Sequence, residues 1–356
     1  MSPSPRSVHR PARSRAIITF LAAFALLLAA CSNGASTSPA PSASIASPTP
    51  AATPVPSPSP TPPAFPVTVT DDEGTAVTLS AEPEKIVSLT PAVTETLFAV
   101  GAGSRVVATD DASDFPAEAK ALPDVVTFGT VDVEKIVSLD ADLVIAGGAG
   151  FTSADAITKL RSLHVPVVVV SSNTIDTIYA DIALVGTTVG DAGTATALVD
   201  TMRADMAAIG AAAKAAAAAK AGAPPRVFYD VGYIDTTGQI YGPGKGSFLA
   251  EMLDMLGVDV ITGDATTYEI PLETLIQRDP QLIILGVNAF YMPTPAIIAK
   301  RTGWKALSAV KTGDIRSVTD TEITRPGPRL ATGMRNLALA MYPDLVIPSP
   351  APSSAP

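Results

Sequence analysis

Val133-Glu134-Lys135-Ile136-Val137-Ser138-Leu139-Asp140-Ala141-Asp142-Leu143-Val144-Ile145 has a counterpart 139 residues further along the chain. That counterpart is Leu272-Glu273-Thr274-Leu275-Ile276-Gln277-Arg278-Asp279-Pro280-Gln281-Leu282-Ile283-Ile284. In each copy a glutamate opens a short helical segment, an aspartate stands six residues on, and an apolar strand begins nine residues on. Between the copies, half of residues 192–221 are alanine, with no proline before Pro224. Alanine has the highest helix propensity, so this stretch predicts one helix of about thirty residues, roughly 45 Å long. Leu198, Met202, Met206 and Ile209 recur at spacings of four, four and three, which gives that helix a packed face. The pattern predicts two similar α/β lobes, one on each side of a single long connector. A cleft between them is the usual place for a ligand.

The alternation extends outward from the repeat. Val67–Thr70 and Ala76–Leu79 flank Asp71-Asp72-Glu73-Gly74 and predict a hairpin with an acidic turn. Strands are predicted at 85–89, 106–108, 143–146 and 167–170, with helices at 94–100 and 134–139. After the connector, strands are predicted at 226–229, 282–285 and 315–318, with helices at 247–256 and 328–341. Apolar, β-branched runs such as Val167–Val170 suit parallel strands buried on both faces, with helices as crossovers. Gly242-Pro243-Gly244-Lys245-Gly246-Ser247 lacks the spacing of a phosphate-binding loop and reads better as a turn into a helix capped by Ser247.

The ends carry a different message. Arg6, Arg10, Arg13 and Arg15 precede an apolar run from Ala16 to Ala30 that is broken only by Thr19. Fifteen residues make roughly 22 Å of helix, short of a ~30 Å bilayer core, so the segment reads as a secretory leader. Leu28-Ala29-Ala30-Cys31 closes it, and Cys31 is the only cysteine in the chain. The placement resembles a bacterial lipobox and predicts an extracytoplasmic protein anchored at the membrane by a lipid on Cys31, with ordinary small-residue cleavage as the alternative. Ten prolines lie between Pro39 and Pro63, and no charged residue occurs from Ala16 to Thr70, which predicts an extended spacer. The organisation is then a leader at 1–30, a lipidated cysteine and linker at 31–64, one lobe at 65–190, the connector at 191–222, a second lobe at 223–347 and a frayed tail at 348–356. The chain carries a net charge of −10, and without the four leader arginines −14, which excludes nucleic acid and electrostatic adhesion to anionic lipid.

Ile86-Val87-Ser88-Leu89-Thr90-Pro91-Ala92-Val93-Thr94-Glu95, then Leu97-Phe98-Ala99-Val100-Gly101, resembles the opening of the Fe/B12 periplasmic-binding domain family. The resemblance continues through Asp114-Phe115-Pro116, Phe128-Gly129, the two glutamate segments, Gly303-Trp304 to Val318, and Arg325-Pro326-Gly327-Pro328-Arg329. That family comprises the substrate-binding proteins of ABC importers for ferric siderophores, haem and cobalamin. Membership implies two Rossmann-like lobes bridged by one rigid helix, with little hinge motion. It implies a two-fold permease with its ATPase as partner, met by Glu134 and Glu273, with helix capping as the rival role of each glutamate. It also implies a monomer without resident cofactor, the ligand bringing its own iron or cobalt.

By the same resemblance the cleft is lined by Thr90, Asp110, Asp111 and Phe128 on the first lobe. On the second it is lined by Tyr233, Tyr241, Phe290, Tyr291 and Arg325. Aromatic rings offer flat apolar area to a macrocycle. Arg325, before a proline and so in extended geometry, would be an exposed clamp for a carboxylate, propionate or phosphate. Ala112 departs from the aromatic residue common near that position in cobalamin-binding members. The mature chain keeps one histidine, His164, where bare zinc or manganese binders need several. Haem would take an axial ligand from Tyr229, Tyr233, Tyr241 or Met292. No Gly-x-Ser-x-Gly elbow is present, so a hydrolase has no support and no enzymatic activity is expected. A structural or sensory envelope lipoprotein on the same fold is the alternative to transport.

Overall fold

The computed structural model describes residues 65–219, 223–288 and 291–347. The leader, Cys31, the linker, Phe290 and the tail lie outside the described residues. Strands β1 (Val67–Thr70) and β2 (Ala76–Leu79) form the hairpin over the acidic turn, and period-two alternation buries Val69, Val77 and Leu79. The turn is held by Asp71, whose carboxylate accepts the Glu73 and Thr75 amides and pairs with Arg161 at 2.8 Å.

The first lobe then runs β3 (Ile86–Ser88), α1 (Pro91–Ala99), β4 (Val106–Asp110), β5 (Asp124–Thr127), β6 (Thr130–Val131), α2 (Val133–Ser138), β7 (Leu143–Gly147), α3 (Ala154–Ser162), β8 (Val167–Val170) and α4 (Ile175–Thr188). Its sheet has the order β6-β5-β4-β3-β7-β8, parallel except for the β5–β6 hairpin. The connector α5 (Ala192–Ala219) follows. The second lobe runs β9 (Arg226–Asp230), β10 (Gly232–Ile234), β11 (Gln239–Tyr241), α6 (Phe248–Met255), β12 (Asp259–Val260), α7 (Leu272–Arg278), β13 (Leu282–Val287), α8 (Pro295–Ile298), α9 (Ser308–Thr312), β14 (Ile315–Thr319), α10 (Thr321–Thr324) and α11 (Leu330–Met341). Its sheet is all parallel in the order β12-β9-β13-β14. Four consecutive strands of the first sheet, β4-β3-β7-β8, have the same order, so the internal repeat of the sequence is a repeat of topology.

The repeat is also one of backbone conformation. Asp140 and Asp279, the paired aspartates, both take left-handed geometry (φ 52° and 43°) just after their short helices. Aspartate tolerates that region better than most side chains, which is why the residue recurs at a helix stop where glycine is commonest.

The connector buries Ala195, Met202, Met206, Ile209, Gly210 and Ala213 along one face. A single apolar cluster runs from Val69 and Ile86 in the first lobe, through Met202 and Met206, to Val227, Leu253 and Met334 in the second. Because this core is continuous through α5, opening the lobes would break packed apolar contacts as well as surface ones. The fold is therefore α/β with two parallel-sheet lobes on one long helix, as the repeat and the family resemblance predicted.

Candidate functional site

In each sheet the strand order reverses beside its first strand, between β3 and β7 and between β9 and β13. Ligands of open α/β sheets bind outside the carboxyl ends of strands at such switch points. On the first lobe a cavity of about 360 Å³ opens there, lined among others by Thr90, Phe151, Ser171, Asn173 and Asp181, with Arg325 closing it from the second lobe. Gly147 ends β7 at its floor. A Cβ there would come within 2.7 Å of the Thr90 methyl and 2.9 Å of Phe151, so only glycine lets strand and loop approach this closely.

Asp181, on α4, is the carboxyl of the cavity wall. Ser172 Oγ donates to it, the Asp72 carboxyl lies within hydrogen-bonding reach, and Asp72 also accepts the Ser171 amide at 2.5 Å. Burial, reinforced by the neighbouring Asp72 charge, pushes the Asp181 carboxyl up to about 7. A carboxyl of that kind donates as well as accepts a hydrogen bond near neutral pH.

The corresponding position of the second lobe is occupied by a built polar cluster. Arg301 Nη1 donates to Asp230 at 2.8 Å, Tyr291 Oη donates to the same oxygen at 2.8 Å, and Arg301 Nη2 donates to Tyr291 Oη at 2.5 Å. The guanidinium lies over the rings of Tyr233 (4.0 Å to the ring centre) and Trp304 (4.6 Å), which meet nearly at right angles. Tyr229 donates to Asp320 at 2.6 Å and Asn288 to the other Asp320 oxygen at 3.1 Å. Burial and the adjacent carboxylates raise both the Tyr229 and the Tyr291 hydroxyls above the ordinary tyrosine range. One oxygen of Asp230 and the Nε of Arg301 are buried with no hydrogen-bond partner among the described residues.

A second polar network stitches the lobes at the cleft edge. Glu95 of α1, fully buried, accepts Arg329 Nη2 at 2.6 Å and Nε at 2.9 Å, and Arg325 Nη1 at 2.9 Å. Arg325 also reaches Asp114 at 2.6 Å and the Ala112 carbonyl at 3.1 Å. On the connector side, the Phe248 amide donates to the Asn173 carbonyl, and Glu251 accepts the Ile175 amide at 2.7 Å.

The residues expected at the cleft are thus dispersed. Thr90 and Arg325 line the cavity. Arg325 is not an exposed clamp, because Glu95, Asp114 and Ala112 already engage its guanidinium. Asp110 is buried and turned into its own loop, accepting Ser113 Oγ at 2.5 Å and the Ala112 amide at 2.9 Å, so it presents no free carboxylate to a cleft. Asp111 accepts the Phe128 amide. Phe128 does not line the cavity: it stands at the β5–β6 turn with φ 48° and its side chain 92% exposed. Tyr233 and Tyr291 meet at Arg301, while Tyr241 ends β11, bridged to Glu269. Glu134 and Glu273 are exposed in the first turns of α2 and α7. Sequence reasoning passed over Arg301, Asp230, Phe151 and Asp181. For Asp181 a signal existed: Ile175, Ile178, Tyr179, Ile182 and Val185 have helical spacing, behind a Thr174 capping box. The others join through tertiary contacts across 61 or more residues of chain or sit on irregular loops, and no spacing announces them.

The family profile described as periplasmic binding protein matches residues 86–321. A Bacillus subtilis protein described as an uncharacterised ABC transporter substrate-binding lipoprotein is 33% identical over 285 residues, 79% of this chain and 87% of its own. A Halobacterium salinarum cobalamin-binding protein is 29% identical over 289 residues, covering 78% and 75%. The periplasmic haem-binding protein of a Roseiflexus species shares the fold with a TM-score of 0.63 and 24% identity over 73% of this chain and 98% of that one. The matched span holds both switch points and the connector between them, and the chain belongs to the periplasmic binding protein family.

Proposed function

We propose that this chain is an extracytoplasmic, lipid-anchored binding protein of an ABC importer that captures a macrocyclic metal chelate, a corrinoid ahead of haem or a ferric siderophore. The observation that carries the choice of ligand is the state of the tyrosines. Tyr229 and Tyr291 are held as neutral phenols donating to Asp320 and Asp230, and Tyr233 lies flat on Arg301. A phenol whose proton is engaged by a buried carboxylate is a poor axial ligand for iron. A corrinoid brings its own lower ligand and asks the protein only for flat apolar area and hydrogen bonds to its amide rim. Phe151 supplies a ring on the first lobe, where Ala112 lacks one, and Tyr233 supplies a ring on the second. Thr90, Ser171, Asn173 and Asp181 offer the polar contacts. The likeness to a cobalamin-binding relative supports the same reading.

In this reading Cys31 carries the anchor, the proline-rich segment spaces the lobes from the membrane, and tethering raises the concentration at the permease. Melting the mature protein with cyanocobalamin, haemin and a set of ferric siderophores tests it. Cyanocobalamin should raise the melting temperature in a concentration-dependent way, because a ligand that binds only the folded state stabilises it by mass action. A shift with haemin or a ferric siderophore alone would replace the corrinoid, and no shift with any would contradict the binding role.

A further inference from the structure

A groove of about 760 Å³, separate from the ligand cavity, lies against α1 and is walled by both lobes. Phe98, Phe115, Pro116 and Leu122 line it on the first lobe, Pro328 and Arg329 on the second. The Arg329 guanidinium lies 4.2 Å from the centre of the Phe115 ring and is itself held by Glu95. The ring is therefore fixed in place although 44% exposed, a preformed apolar platform. Glu95 and Arg329 neutralise each other within the wall, and Glu118 stands exposed in solvent. Such a groove suits an uncharged, apolar, extended segment.

The described chain begins beside this groove. The Phe65 ring and the Glu82 side chain flank Gly190, where a Cβ would lie 3.3 Å from one and 3.5 Å from the other. Arg105 donates to Glu82 at 2.7 Å and to the Val189 carbonyl at 2.9 Å, and Gly103 and Ser104, just before it, line the groove. The seven residues that precede Phe65 are Pro58-Ser59-Pro60-Thr61-Pro62-Pro63-Ala64, with no charge among them. Extended as polyproline, they would span about 22 Å. We infer that residues 58–64 dock in this groove as a polyproline strap that joins the two lobes, leaving the prolines before them to the spacer. Proline-rich segments bind aromatic-lined grooves because they are already extended and lose little entropy on docking. The covalent link at Phe65 adds a high effective concentration, which favours this segment over a free partner. The contact is independent of which ligand the cleft holds.

Hydrogen exchange read by mass spectrometry tests the strap on the full mature chain. The comparison is with a variant carrying Pro58→Gly, Pro60→Gly, Pro62→Gly and Pro63→Gly. Amides of residues 98–105 and 115–122 should exchange at least about threefold faster in the variant, while those of α7 and β13 keep their wild-type rates and show that it is folded. Equal exchange at the groove overturns the inference. Urea unfolding supplies an independent arm. The glycine variant combined with Phe115→Ala should lose less stability than the sum of the two losses taken separately, because both remove one contact. A simple sum overturns the strap. The wild-type chain should sediment as a monomer. A dimer that Phe115→Ala dissociates would give the groove to a second copy of this chain and overturn the strap as well.

Discussion

Asp181 and Arg301 show how differently two buried charges are managed at the same cleft. Asp181 is raised to about 7 by burial and by the neighbouring Asp72 charge. Its folded value therefore lies above its unfolded value, and the folded state holds the proton more tightly. Stability from this group is complete below about pH 4 and is lost as pH rises toward 7. Asp181→Asn, which resembles the protonated carboxyl, should match wild type near pH 4 and exceed it at pH 8 by on the order of 2 kcal/mol in urea unfolding. A pH-independent difference would contradict the assignment. Arg301 is instead neutralised by Asp230, with both side chains almost wholly buried. Removing one partner of such a pair leaves the other charge uncompensated, so Arg301→Met should cost about 3–5 kcal/mol. Adding Asp230→Asn should restore most of that loss, again by urea unfolding, if the cost is the orphaned carboxylate and not the lost packing on Tyr233 and Trp304.

The connector shows what at the level of elements could be read from the chain and what could not. Its length, its alanine content and the spacing of Met202, Met206 and Ile209 announced a long packed helix, and α5 is that helix. Strands of β-branched residues, such as Val167–Val170, were equally plain. The helix α4 went unread although its apolar spacing was available, because β-branched residues dilute its helix propensity. How α4 meets α5 depends on a contact that no local pattern displays. At Gly186 a Cβ would come within 2.2 Å of the Ala195 Cβ, so the two helices cross at a glycine–alanine contact. Gly186→Val should drive the connector off the first lobe and cost about 2–3 kcal/mol, measured by chemical denaturation. A neutral effect would mean that α5 is seated less firmly than its continuous core implies. The polar clusters were illegible for a related reason. Glu95 meets Arg325 and Arg329 across 230 or more residues, and only the closed fold puts them together.

At the scale of the whole molecule, the internal repeat gives each lobe its own switch point and places Glu134 and Glu273 at matched exposed positions on the two lobes. Glu134→Arg combined with Glu273→Arg should abolish uptake in cells while leaving cyanocobalamin affinity unchanged, and undiminished uptake would remove these residues from the permease contact. The candidate site was only half legible: Thr90 and Arg325, expected from the resemblance, line the cavity, yet most side chains of its wall and the Arg301 cluster come from loops and tertiary pairing. Isothermal titration of the mature chain with cyanocobalamin decides whether the cleft holds one macrocyclic metal chelate. One site per chain is expected, with a dissociation constant in the micromolar range or tighter and a negative heat-capacity change from burial of the apolar faces. The absence of saturable binding by cyanocobalamin, haemin and ferric siderophores alike would contradict it.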